Sequence, residues 1–159
     1  MTPLLHGTVS QHIVFATDRD TVWRAFADLD VRDRWFTMPG ERSTRSHELD
    51  FRVGGLEITR GTFSNMGEEE RLEHRSRFLD IVGGERISTV YELRLNDVLQ
   101  FVALASVELT DVDTGTRVDY TEQHQFFVVR DDGSAELGER QGGTRFLLRR
   151  LSIALAQAS

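Results

Sequence analysis

From Glu48 to Val129 the chain falls into strand-like runs divided by turn clusters too short to let consecutive runs lie parallel. The runs cover roughly 47–52, 55–63, 71–82, 86–95, 99–110 and 116–128. They are separated by Gly54-Gly55, Ser64-Asn65-Met66-Gly67, Gly83-Gly84, Asn96-Asp97 and Asp113-Thr114-Gly115. Glycine, asparagine and aspartate at such points supply the backbone conformations that tight turns need. A parallel pair requires a crossover of about a dozen residues or more. The six runs are therefore predicted to form an antiparallel meander.

The segments on either side have a different period. Gly7 to Phe15 reads as one more strand, ending at Ala16-Thr17-Asp18. Thr17, with Asp20 three residues on, predicts a helix start of capping-box type, and Val22, Trp23, Phe26 and Leu29 recur at helical spacing. Asp30 is read as the cap of a second short helix through Phe36, stopped by the Met38-Pro39-Gly40 loop. A polar loop is expected from Arg130 to Gly142, then a helix from about Gly143 to Ala158. Leu147, Leu148, Leu151, Ala154, Leu155 and Ala158 form its apolar face, with Phe146 and Ile153 apart from it. Two apolar sides suit a helix held inside a concave sheet. The fold class is thus α+β: six or seven antiparallel strands curled around a long C-terminal helix, with two short helices after the first strand, in one domain over 1–159.

Charge and composition exclude several functions. Net charge is −7, and all 19 basic residues are Arg, with no run dense enough to follow a phosphate backbone. No nucleic-acid partner is expected. Without Cys there is no thiol nucleophile, disulfide or thiolate metal site. No stretch of 18 apolar residues occurs, so membrane insertion is not expected, and the N-terminus lacks the pattern of a secretory signal; a cytoplasmic location is expected. His74, between Glu73 and Arg75, lacks a second histidine at ligand spacing, so no metal is expected and a solvated strand face is the reading. The paired glycines lack the strand-to-helix context of a phosphate loop, and no cofactor is implied.

Strand alternation gives the candidate site. In the last strand Val118, Tyr120, Glu122, His124 and Phe126 share one face, whose apolar members set it inward. If Leu109 faces Val118 and Val107 faces Tyr120, then Ala105 lies opposite Glu122 and Ala103 opposite His124, leaving room beside the polar pair. Continued through a three-residue turn at Asn96 to Val98, the same pattern turns Thr89 and Tyr91 inward. Three roles stay open for Glu122 and His124: structural hydrogen bonds to Tyr91, Tyr120 or Arg77, contact with a ligand, or general acid–base work. Trp35 and Phe36 are placed at the rim of the cavity.

Five fragments, in order, resemble one family. They are VFATDRDTVWRAFADLDVRDRWF, with Val22, Trp23, Ala25, Trp35 and Phe36 at matching places; ELDFRVGG, with Val53 where proline is usual; RFLDIVGGERISTVYEL, with Gly83-Gly84 replacing two prolines; DVDTGTRVDYTEQHQFF; and GGTRFLLRRLSIAL. The chain is similar to the START-like, or SRPBCC, superfamily, and within it to the bacterial branch of the group named for the activator of Hsp90 ATPase. The resemblance implies a helix-grip (Bet v 1-like) fold. Because that superfamily includes lipid carriers, hormone receptors, polyketide cyclases, oxygenase subunits and chaperone regulators, the fold alone decides little.

The expected function is binding of a hydrophobic or amphipathic small molecule, with Trp35, Phe36, Arg77, Thr89, Tyr91, Tyr120, Glu122, His124 and Phe146 as candidate ligand contacts. The alternatives are a polyketide cyclase or dehydratase using His124 and Glu122 as acid and base, and a chaperone-regulating interaction module. A homodimer is compatible with the sequence.

Overall fold

The N-terminal strand closes one edge of the sheet by pairing with the last strand, and the other six follow one another as a meander. In the computed structural model, which describes residues 3–39 and 44–157, the order is β1 (Leu5–Phe15), α1 (Arg19–Ala27), α2 (Leu29–Trp35), β2 (Ser46–Leu49), β3 (Leu56–Asn65), β4 (Glu68–Val82), β5 (Arg86–Leu95), β6 (Val98–Val112), β7 (Gly115–Phe126) and α3 (Ser134–Gln157). Among the described residues the seven strands form one antiparallel sheet, β1-β7-β6-β5-β4-β3-β2. It curves around α3, as the alternation and the single long helix require. Gly40 of the expected loop and Ala158 of the expected helix lie outside the described residues.

The register follows from the turns. Asn96 and Asp97 both have positive φ, 51° and 67°, which makes the β5–β6 connection a two-residue hairpin turn rather than the expected three-residue one. A bulge then displaces β6 by one residue, since Arg94 faces Leu99 but Leu93 faces Phe101. Turn and bulge together shift the register as a three-residue turn would, so Thr89 faces Ala105 and Tyr91 faces Ala103. Leu109–Val118, Val107–Tyr120, Ala105–Glu122 and Ala103–His124 pair as the alternation predicts.

The helix starts differ from the sequence reading. Asp18, not Thr17, caps α1, its carboxylate accepting from Thr21 N at 2.8 Å. Thr17 is otherwise engaged, its carbonyl accepting from the Thr116 hydroxyl at 2.9 Å. Asp28, not Asp30, caps α2. The last helix begins at Ser134, not Gly143, with Asp132 accepting from both Ser134 N and Oγ. Gly138, Gly142 and Gly143 each cost about 1 kcal/mol against alanine inside a helix, which is why the sequence reads as loop there; burial of Glu136 and Thr144 accompanies the extra turns. The second apolar side of the helix is not covered: Phe146 and Ile153 are 56% and 54% exposed.

Two apolar clusters fill the concave side. One joins Phe15, Val22, Phe26, Trp35, Phe78 and Val118 to the C-terminal half of α3 through Leu148, Leu151 and Leu155. The other gathers Tyr91, Phe101 and Phe126 against Leu5, Leu93 and Leu137. Full burial of each such side chain contributes about 1.5–3 kcal/mol. The register aligns His124, Ala103, Tyr91, Ser76 and Glu57 in one row across five strands, running through the second cluster. A polar belt thus crosses an otherwise apolar concavity.

Candidate functional site

Glu122 is the centre of one half of the belt. It is 1% exposed, and its Oε1 accepts from Tyr91 Oη at 2.6 Å and from Tyr120 Oη at 2.9 Å. Its Oε2 accepts from Thr144 Oγ1 at 3.2 Å, with an Arg140 nitrogen 3.7 Å away; both residues come from the part of α3 that the sequence reads as loop or helix start. Burial alone would push this carboxyl up. The His124 imidazole, the Arg140 guanidinium and the Tyr91 hydroxyl outweigh that effect and hold it at about 2. Burial, followed by the Glu122 charge, pushes both phenols well above their ordinary value, so Tyr91 and Tyr120 stay protonated and donate.

His124 lies beside this carboxylate without a well-formed bond to it. Nε2 stands 3.3 Å from Glu122 Oε2, yet the alignment is poor and both ring nitrogens are buried without a hydrogen-bond partner. The ring is held by aromatic contact instead, stacked on Phe126 at 5.4 Å and edge-on to Phe101 at 5.3 Å.

Glu57 is the centre of the other half. Arg32 of α2 grips it with two bonds, Nε to Oε1 at 2.8 Å and an Nη to Oε2 at 3.0 Å, and His47 Nε2 adds a third at 2.9 Å. His47 Nδ1 in turn reaches Asp33 at 3.0 Å, tying α2 to the sheet. Burial pushes the Glu57 carboxyl up, and Arg32 and His47 reverse this and hold it far below the usual range. The Arg32 guanidinium also lies 4.0 Å over the Phe36 ring.

His74 joins the two halves, which corrects the expectation of a solvated strand face. It is 8% exposed, with its ring 4.7 Å from that of Tyr91 and 5.1 Å from that of Phe36. Burial lowers it to about 4, with Arg32 and Arg140 acting in the same direction against Glu57 and Glu122. It is neutral at pH 7.

The structure brings Tyr91, Tyr120, Glu122 and His124 together. Thr89 and Phe36 line an adjoining void of about 40 Å³. That is room for water and far below the roughly 300–1,000 Å³ of small-molecule sites. Arg77 does not join them: it shares the exposed face of β4 with Arg75, because Leu72, His74, Ser76 and Phe78 have the opposite parity. Trp35 is not at a rim; it is buried in the apolar cluster with its indole Nε1 donating to Ala25 O at 2.7 Å. Phe146 lines a larger groove of about 630 Å³ between α3, β4, β5 and the segment after α2, together with Met38, Leu72, Leu93, Leu147 and Arg140. Arg140, Glu57 and Arg32 are absent from the sequence reading. Parity marks Glu57 as sharing a strand face with Thr59, but nothing local marks Arg140 once residues 130–142 are read as loop.

A curved antiparallel sheet gripping a C-terminal helix, with buried polar groups on its concave face, defines a START-like protein of helix-grip architecture. Residues 16–156 match the family described as "Activator of Hsp90 ATPase homolog 1-like protein", and the chain belongs to that family. Among solved structures it is similar to a protein of Rhizobium loti at 35% identity, with 96% of this chain and 99% of that one covered and a TM-score of 0.81. A protein of Rhizobium leguminosarum matches at 27% identity over 98% and 97% of the two chains, with a TM-score of 0.83. A Staphylococcus aureus protein at 16% identity and a TM-score of 0.70, over 98% and 96% of the chains, shares the fold. A comparison with curated proteins found no match. Among the described residues no helix is long and apolar enough to cross a membrane.

Proposed function

We propose that the protein binds an amphipathic small molecule in the groove beside α3, with its polar end toward the belt. One observation carries this reading: the groove of about 630 Å³ has the volume of a small-molecule site and leads to Arg140, whose Nη2 is 3.5 Å from Tyr91 Oη. Apolar walls and a few convergent polar groups are the usual make-up of such sites. Glu122, Tyr91, Tyr120 and His124 then act through Arg140, setting the polarity of the inner end.

Acid–base catalysis by Glu122 and His124 draws less support. A carboxylate held at about 2, already accepting from three hydroxyls, is a weak base at neutral pH. A chaperone-regulating role follows from the family's description, and no observation on this chain favours it.

The neutral fluorophore N-phenyl-1-naphthylamine tests the reading. Its emission is expected to rise and saturate on addition of the protein. The exposed wall substitution Phe146→Ser is expected to weaken it about three- to tenfold, the worth of part of one apolar contact, without changing the melting temperature. No saturable emission, or identical affinity in the variant, would overturn the proposal.

A further inference from the structure

Resting on that binding reading, we infer that the ligand has a carboxylate-type anionic head and that Arg140 receives it. The whole chain is acidic, with 26 Asp and Glu against 19 Arg. Among the described residues the groove inverts this balance, its lining holding Arg45, Arg140 and Arg150 and no acid. On a protein of net charge −7 an anion is drawn only where such a local cluster overrides the total.

The three arginines are not equivalent. Arg45 stands 3.6 Å from Asp33, and Arg150 donates to Arg34 O at 3.1 Å, so both serve to hold α2. Arg140 lies at the inner end. Its guanidinium sits 5.1 Å from the Phe101 ring centre, and its contacts with Tyr91 and Glu122 are long at 3.5 Å and 3.7 Å; its Nε, like that of Arg150, is buried with no hydrogen-bond partner. A guanidinium whose polar contacts are all long has Nη donors to spare, and a carboxylate is the planar acceptor that matches them.

Gly143, one turn further along α3, leaves the Nη1 side of the guanidinium uncrowded, since a Cβ there would come 3.3 Å from Arg140 Nη1. The acids of the neighbouring depression do not compete, because Glu136 and Glu139 are paired with Arg130 at 2.9 Å and 2.7 Å. A neutral head would leave the Arg140 charge with its long contacts alone, and a cationic head would meet the like charges of Arg45, Arg140 and Arg150.

Calorimetric titration of the intact protein with decanoate, 1-decanol and decyltrimethylammonium, each below its aggregation threshold, tests the inference. Decanoate is expected to bind at least about tenfold tighter than decanol, the worth of one charge-assisted hydrogen bond, and the ammonium weakest. Higher salt should narrow the gap. In Arg140→Gln, checked for folding by its thermal melt, decanoate should fall to within about twofold of decanol while decanol keeps its affinity. If the variant does not fold, the three ligands and the salt series on the unaltered protein decide the matter. Equal binding of all three would overturn the anionic head, and a gap that survives Arg140→Gln would overturn Arg140 as its receiver; either leaves the binding reading standing. Failure of all three to bind would overturn the binding reading beneath it.

Discussion

Tyr91 of β5 and Glu122 of β7 are hydrogen-bonded at 2.6 Å across an intervening strand. Neighbouring strands stand about 4.8 Å apart, so the two side chains must reach over β6. They can do so because the β6 residues opposite them, Ala103 and Ala105, carry only methyl groups. Both alanines are almost fully buried. Ala105→Leu would drive four-carbon bulk into that passage, and a loss of about 1–3 kcal/mol is expected from overpacking. Urea unfolding measures it, and an unchanged midpoint would show that the space over β6 is not used.

The second carboxylate depends on one cation. Arg32→Leu removes both arms of the fork on Glu57 and leaves a buried charge with His47 alone, for an expected loss of about 3–5 kcal/mol. Combining it with Glu57→Leu removes the stranded charge, so the double variant should recover much of that loss. A double-mutant cycle from urea unfolding checks both parts. Additive losses would mean that the pair does not interact as its geometry indicates.

The sheet was more legible than the site. Turn chemistry at Gly54-Gly55, Gly83-Gly84 and Asn96-Asp97 placed the strand boundaries, and the apolar parity of Val118 and Phe126 turned Glu122 and His124 inward. The expected β5–β6 register matched because a bulge supplies the residue that the shorter turn omits. His74 was misread because Glu73 and Arg75 flank it, although they lie on the other face of the strand. The same parity that buries Leu72 and Phe78 also turns Arg77 outward. Arg140 was hidden for a different reason: helix glycines at 138, 142 and 143 depress local propensity, and what holds the helix there is tertiary contact, which no local pattern reports.

His124 has two buried ring nitrogens without partners, in a setting of Phe101 and Phe126. Replacing it by phenylalanine keeps the stacking and removes two unpartnered polar atoms, at the loss of the 3.3 Å approach of Nε2 to the Glu122 carboxylate, whose remaining partners are Tyr91, Tyr120, Thr144 and Arg140. His124→Phe is therefore expected to leave stability unchanged or raise it by up to about 2 kcal/mol. A clear drop in the thermal midpoint would mean that Nε2 does donate to Glu122.

The pH dependence of stability has a window set by His74. Its pKa falls from the ordinary value of 6.5 to about 4 in the folded chain, first through burial and then through Arg32 and Arg140, which face it from α2 and α3. Glu57 and Glu122 face it too and pull the other way. Between those two values the unfolded chain binds the proton and the folded one does not. The stabilisation is thus fully present above about pH 6.5 and is lost as pH falls toward 4. A depression of that size corresponds to about 3 kcal/mol. Glu122, held at about 2, loses its contribution only below about pH 4.5, so the two windows separate. Urea unfolding at pH 7.0, 5.5 and 4.5 should show a steady fall in the unaltered protein, and His74→Phe, which keeps a ring between Phe36 and Tyr91, should flatten that fall while leaving the losses below pH 4.5. An unflattened profile in the variant would assign the acid sensitivity to a different group.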